Sequence, residues 1–221
     1  KLTENLRRGY EVELRVGCTP TLSLHALAQP VADFARDNPV VRLDMRQAHS
    51  QILADMLHKG QVDVALGPPE IASRAPGASS CILFKSPMVI LASRYHPLAG
   101  RMAVTRTDLE AARWALHQPA SGNRIAADRL LAKIGLGESL QANELPSNMI
   151  LSLLRMGDHL AVVPRYVLAT TSLAGELVQI DSGEAQVSLS HAAVWTDRSA
   201  TPAVGRFVEH MRHALNRLGE I

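Results

Sequence analysis

Val12, Leu14 and Val16 alternate with Glu11, Glu13 and Arg15, the period-two pattern of a strand with one buried face. Gly17 ends that strand, and Thr19 or Thr21 is placed to cap a helix starting near Leu22. From there Leu24, Leu27, Ala28, Val31, Phe34 and Ala35 recur at helical spacing. Pro30 predicts a kink or a late helix start, and Asn38-Pro39 predicts the end. Residues 40–45 alternate as a second strand. Ser50 is the expected cap of a short helix carrying Ile52, Leu53, Met56 and Leu57, closed by Gly60. The apolar run 62–66 reads as a strand buried on both faces, stopped by Gly67-Pro68-Pro69. This β-α-β-α-β order implies parallel strands with right-handed crossovers.

The rhythm then breaks. Residues 71–80 are small and turn-rich, and residues 81–93 form a long apolar stretch ending before His96-Pro97. A strand of that length is suited to carry the chain from one subdomain into another. A second α/β set follows. It has a strand over 113–117 and a helix over 123–134 with Ala127, Leu130, Leu131 and Ile134 inward. Ser147 is the expected cap of a further helix with Met149, Ile150, Leu153 and Leu154 inward, stopped by Gly157. Strands are expected over 160–163 and 177–180. Residues 187–195 alternate as a second long strand, suited to return the chain. Residues 202–218 form an amphipathic helix whose stripe is Val204, Phe207, Val208, Met211, Leu215 and Leu218.

Composition narrows the function classes. A length of 221 residues suits one large domain or two small ones. A net charge of +2 is too small to argue for nucleic-acid or membrane attraction, and 4% aromatics leave no evident base-stacking surface. Two cysteines, Cys18 and Cys81, imply no disulfide framework. Residues 1–10 are charged and without an apolar core, so no secretory leader is expected; no run is long enough to span a bilayer. The expected location is cytoplasmic. The start without Met, in mid-pattern, is that expected of a piece of something longer. Among motifs that carry chemistry, no Gly-x-Ser-x-Gly elbow, His-Glu-x-x-His, Gly-x-x-x-x-Gly-Lys or strand-following Gly-x-Gly-x-x-Gly is present. Neither catalytic residues nor a cofactor is expected.

Four stretches together resemble the effector-binding domain of LysR-type bacterial transcriptional regulators. They are Leu14-Arg-Val-Gly-Cys-Thr-Pro-Thr21, Gly60-Gln-Val-Asp63-Val-Ala-Leu66, His96-Pro97-Leu98-Ala99, and Leu154-Arg-Met-Gly157-Asp-His-Leu-Ala-Val-Val-Pro164. The resemblance runs from about residue 11 to residue 218. It implies two Rossmann-like subdomains joined by two crossover strands, as in type 2 periplasmic binding proteins. Residues 1–10 would be the end of a linker, 11–84 and 194–221 the first subdomain, and 85–193 the second. It further implies a small-molecule effector held between the subdomains, and a homodimer or homotetramer. DNA would be contacted through a helix-turn-helix absent from this chain. One departure stands out: His159 occupies a place where the family often has a second glycine, so a polar ring is expected near the subdomain surface or hinge.

In open α/β sheets, ligands bind at the carboxyl ends of strands. The candidate ligand-binding residues are therefore Thr19, Pro20, Thr21, Ser50, Gly67, Pro68, His117, Gln118, Ser121 and Ser147. Threonine hydroxyls and free N–H groups at a strand-to-helix turn suit a carboxylate, so a small organic anion is the expected effector. Each residue also has a plainer role: the serines and threonines as caps, Pro68 as a strand stop, and His117 to Ser121 as a polar loop. Cys18 near a helix start raises the alternative of a redox sensor, against that of an inert buried thiol. A stand-alone solute-binding protein of the same fold is a further alternative. His210 and His213 sit three apart on the last helix, but no third ligand accompanies them, so no metal site is expected.

Overall fold

The computed structural model describes residues 10–119, 121–137, 140–170, 175–181, 183 and 185–219. Except for Tyr10, the expected linker tail lies outside the described residues. In chain order the elements are β1 Val12–Cys18, α1 Pro20–His25, α2 Ala28–Asp37, β2 Val41–Gln47, α3 Ser50–His58, β3 Val64–Gly67, α4 Glu70–Arg74 and β4 Ala78–Ser93. There follow α5 Arg106–Ala111, β5 Arg113–His117, α6 Gly122–Lys133, β6 Ala142–Leu145, α7 Ser147–Met156 and β7 His159–Pro164. The chain continues with α8 Tyr166–Thr170, β8 Leu177–Ile180, β9 Ser188–Thr196 and α9 Pro202–Leu215. It divides into two compact units. The first reaches Lys85 and resumes at Ser190, and the second is Ser86–Leu189. The chain passes between them within β4 and within β9.

In the first unit, β1 runs parallel to β2 from Val12↔Val41 to Cys18↔Gln47, and parallel to β3 from Val16↔Val64. β9 follows as an antiparallel partner of β3, giving the order β2-β1-β3-β9, with β4 next to β9. The buried alternation of β1 places Leu14 and Val16 in the core at 1% and 0% exposure. The stripe of α9 (Val204, Phe207, Val208, Met211 and Leu215) is buried as the pattern requires. Phe207 meets Phe34 of α2 edge to face at 5.0 Å, the favoured geometry for two aromatic quadrupoles. The helix ends at Leu215, and Leu218 falls in a following 3-10 turn, half-buried.

The first unit also departs from the periodicity. The expected single helix after β1 is two, broken at Ala26-Leu27. Pro30 is the third residue of α2, where its missing N–H is an orphan in any case, so a fresh start accommodates it without a kink. The break shifts the helical phase, which leaves Leu24, Ala28 and Ala35 exposed. Residues 70–74 are helical rather than turn.

In the second unit, β7 lies between β4 and β5, antiparallel to the first (Met88↔Pro164) and parallel to the second (Arg113↔His159). β6 extends the sheet beside β5 (Trp114↔Ala142), and β8 pairs with β4. Ile90, Trp114, Leu130, Leu160 and Val162 form its core, and the Trp114 indole N–H donates to the Leu109 carbonyl at 2.9 Å. On α7 the buried apolar residues are Ile150, Leu151 and Leu154, while Met149 is 47% exposed, contrary to expectation.

The four quoted stretches contain three structural fasteners. Arg15 spans Asp63 through two guanidinium nitrogens at 3.1 and 2.5 Å, and donates to the Gly60 carbonyl. Its own backbone N–H also donates to Asp63. The pair locks the turn after α3, where Gly60 has φ +64°. In the His-Pro-Leu turn, the Leu98 N–H donates to His96 Nδ1 at 3.1 Å, so the buried imidazole closes its own turn. His159 is buried rather than superficial: it opens β7 opposite Arg113, with Nδ1 2.6 Å from the Asp158 carboxylate. Gly157 supplies the left-handed C-cap of α7, and His159 then pairs with Arg113.

Candidate functional site

The carboxyl ends of β1 and β3 adjoin in the first unit. The Thr19 N–H donates to the Leu66 carbonyl at 3.0 Å, and the Ala48 N–H after β2 donates to the Cys18 carbonyl at 3.1 Å. These two bonds tie the three strand ends into one rim. Thr19 has extended backbone (φ −73°, ψ 150°), and its carbonyl accepts the first helical bond, from Ser23, so it is the N-cap of α1. Its hydroxyl makes no cap bond, which leaves it available. Pro20 occupies the first helical position, as suits a residue without an N–H. Thr21 is 3% exposed inside the helix and engaged in the protein interior, so it is neither the cap nor an open donor.

Glycine is required twice at this rim. A Cβ on Gly17 would stand 2.6 Å from a Leu53 methyl, and a Cβ on Gly67 would stand 2.8 Å from the Thr19 methyl and 3.0 Å from an Ile71 methyl. Gly67 thus lets the threonine lie flat on the end of β3, with Pro68 buried beside it. Ser50 is the first helical residue of α3 and not its cap. The extended residue is His49, whose carbonyl accepts from the Leu53 N–H. The Ser50 side chain is half-buried at the start of the helix.

The strand ends of the second unit are held by side chains. His117 ends β5 and is 4% exposed, with Nε2 3.4 Å from the Asn123 amide. Gln118 is exposed. Ser121 caps α6 by accepting from the Arg124 N–H at 3.1 Å, and donates to the Gln118 carbonyl at 3.0 Å. Arg124 reaches back to the His117 carbonyl, and pairs with Asp128 and with Glu144 of β6, both at 2.8 Å. Those partners hold its guanidinium pKa above the ordinary value, hydrogen bonding to Glu144 being the largest cause. Ser147 is the first residue of α7, buried at 8% exposure. Pro146 is the extended cap, and its carbonyl accepts from the Ile150 N–H. The structure therefore gathers Thr19, Pro20, Gly67 and Pro68 at one rim, with Ser50 just beyond the end of β2. In the other unit it gathers His117, Gln118, Ser121 and Ser147 at the ends of β5 and β6.

Other candidates resolve differently. Cys18 is the last residue of β1, 1% exposed, and desolvation pushes its thiol up rather than down. A thiol shifted in that direction is less nucleophilic at neutral pH. His210 bonds the Pro30 carbonyl at 2.9 Å, and His213 lies 2.7 Å from Glu209. Among the described residues no group of three or more His, Cys, Asp or Glu side chains is placed to hold a metal ion, and no helix is long and apolar enough to cross a membrane. A groove of roughly 630 Å³ runs along β2 and α2, lined by Val31, Pro39, Leu43 and Met45 among others; it shares no residue with the strand-end candidates.

Residues the pattern reading passed over include Arg124, His191 and Arg165. Arg124 stands four before Asp128, a spacing that marks helix-surface ion pairs. His191 of β9 is 2% exposed and stacks on Phe84 of β4 with centroids 4.6 Å apart. Burial lowers its pKa to about 3. Arg165 directly follows β7.

Comparison with known proteins agrees with this architecture. The model of the LysR substrate binding domain matches residues 7–216. The HTH-type transcriptional regulator GalR of Pseudomonas putida is 30% identical over 171 residues, covering 76% of this chain and 42% of that protein. The regulator CbbR of Cereibacter sphaeroides is 31% identical over 144 residues, covering 64% of this chain and 46% of that protein. This chain spans about half the length of these curated relatives. Among solved structures, the Synechocystis PCC6803 CcmR regulatory domain in complex with 2-PG superposes with a TM-score of 0.74 at 18% identity, covering 92% of this chain and 97% of that one. The reduced form of the regulatory domain of OxyR2 from Vibrio vulnificus also gives 0.74 at 18% identity, over 92% and 95% of the two chains. The fold is the type 2 periplasmic-binding-protein-like one expected.

Proposed function

The chain belongs to the LysR substrate-binding domain family, and on that premise we propose that it binds a small organic anion at the strand-end clusters to control transcription. The family match along residues 7–216 is the observation that carries the reading. Two features support it. Both sheets turn the carboxyl ends of parallel strands toward helix starts, where backbone N–H groups converge. The CcmR regulatory domain, of like fold, was solved in complex with 2-PG. In this reading the contacts are drawn from Thr19, Pro20, Ser50, Gly67 and Pro68 in the first unit and from His117, Gln118, Ser121 and Ser147 in the second. The burial of Thr21 and Ser147 favours their backbone over their hydroxyls as contacts. The chain is a sensor and not an enzyme. DNA is contacted by a helix-turn-helix domain of the full protein, as the names of the relatives suggest. A cytoplasmic homodimer or homotetramer carries both parts.

A ligand can shift such a regulator only through its different affinities for two states. The raised Cys18 pKa disfavours a thiol-based redox sensor. The HTH names of the relatives favour a regulator over a stand-alone solute-binding protein.

A thermal-shift screen of small carboxylates and phosphate esters tests this function. At a hundredfold excess over Kd a true ligand adds about 2.7 kcal/mol of stability. Thr19→Val and Gln118→Ala are expected to weaken the same hit. A hit indifferent to both variants overturns the site, and a panel without hits overturns the proposed ligand class.

A further inference from the structure

We propose that Arg165 is the residue that reads the anionic group of the ligand, which makes the effector a carboxylate or a phosphate. The inference rests on the strand-end site proposed above and names the charged contact that this site otherwise lacks: its other candidates are threonine, proline, glycine, serine, glutamine and histidine.

Three observations place it. Arg165 is the first residue beyond β7, an inner strand of the second sheet between β4 and β5. β7 runs parallel to β5 with Trp114 opposite Leu160; continuing that register sets Pro164 level with Gln118, so Arg165 emerges at the edge where β5 ends. Its backbone is fixed there, the N–H donating to the Pro87 carbonyl at 2.8 Å and the carbonyl accepting from the Leu168 N–H. Lastly, its guanidinium Nε is buried and has no hydrogen-bond partner.

That last feature separates it from the other described arginines, of which Arg36, Arg106 and Arg212 pair with carboxylates and Arg94 and Arg198 donate to backbone carbonyls. Arg15, Arg42, Arg46, Arg101, Arg113, Arg124 and Arg155 each hold a carboxylate. Arg74, Arg129, Arg206 and Arg217 are exposed, where water solvates them. Arg165 is half-buried, and no carboxylate among the described residues pairs with it. A desolvated N–H without an acceptor is costly in the free protein, and an oxyanion that accepts from the guanidinium fork removes that cost on binding.

The test compares Arg165→Met, Arg165→Lys and the exposed control Arg206→Met. Inorganic phosphate, sulfate, acetate and malonate serve as probes, at about 20 mM so that mass action makes weak binding visible. Melting temperatures are recorded with and without each probe, and affinities by calorimetry. The probe arms separate a tetrahedral from a carboxylate preference. Arg165→Met is expected to lose about tenfold to a hundredfold in affinity for the best probe. Arg165→Lys should retain part of it, and Arg206→Met all of it. Without probe, Arg165→Met should melt at or above the parent temperature.

Four results overturn the assignment: no probe stabilises the parent chain; Arg165→Met binds as well as the parent; Arg206→Met loses as much as Arg165→Met; or Arg165→Met unfolds or melts several degrees lower without probe, which marks a structural group. If Thr19→Val weakens the best probe while Arg165→Met does not, the strand-end site stands and the role of Arg165 falls. If neither variant changes affinity, both fall.

Discussion

The turn after β1 and the turn after β5 do the same job by different means. Both deliver a parallel strand into a helix at the carboxyl edge of a sheet. In the first unit the turn is a packing device: Gly17 admits a Leu53 methyl, Gly67 admits the Thr19 methyl, and two backbone bonds tie the strand ends together. No side chain caps α1. In the second unit the turn is a polar device. Ser121 caps α6, and Arg124 joins the His117 carbonyl, Asp128 and Glu144 into one network. The first rim is close-packed, with no room for an added carbon at Gly17 or Gly67; the second is held by groups that can be removed one at a time. A steric site tolerates polar deletion and fails on added volume, and a networked site does the reverse.

Acid acts on both units, since burial lowers the pKa of His96 in the second, but the larger shifts lie in the first. His25 and His191 both lie in the first unit, and burial lowers their pKa values to about 4 and about 3 from 6.5. A histidine depressed in the folded state binds its proton first in the unfolded state. Its contribution is therefore complete above pH 6.5 and is lost as pH falls toward the folded value. The expected slope is about 1.4 kcal/mol per pH unit for each histidine within that window. Denaturant titrations from neutral pH down to the folded-state pKa of His25, about 4, measure it, and His191→Phe should flatten the curve. A profile that is flat in the parent chain contradicts the buried neutral state of both rings.

Asp63→Ala removes both acceptors of the Arg15 fork. It is expected to cost about 2 kcal/mol, the usual worth of hydrogen bonds to a charged group, read as a fall in the denaturation midpoint. Gly67→Ala is expected to cost about 1–3 kcal/mol through overpacking against Thr19 and Ile71. Gly137→Ala, with nothing within 4 Å of the added carbon in the second unit, is expected to be close to neutral. Equal losses at the two glycines would erase the steric half of the comparison. Ser121→Ala should cost about 1 kcal/mol, seen as faster amide exchange at the start of α6. Thr19→Val should cost less than Ser121→Ala, since its hydroxyl caps nothing.

Much of this organisation is written in the chain. The alternation of residues 11–16, the double-sided apolar run before Gly67 and the stripe of residues 204–215 are packing patterns. Packing is what sheets and helices need from their neighbours, so β1, β3 and α9 are legible. The caps near Ser50 and Ser147 are not, because a serine at the first helical position and a serine at the cap differ by one residue in spacing. The choice lies in which carbonyl accepts the first helical bond: those of His49 and Pro146. His159 reads as a polar ring in a turn, yet strand pairing buries it. His191 sits at an alternating strand position that shows nothing of the Phe84 ring beneath it. Nothing in the sequence pattern singles out Arg165, whose missing acceptor shows only in three dimensions.

Whether the strand ends hold the ligand is tested most directly by a crystal structure of the chain with the best hit of the screen. Ligand density is predicted against a strand-end turn, that of Thr19 or that after His117. Density confined to the groove beside β2, away from both turns, contradicts the strand-end site.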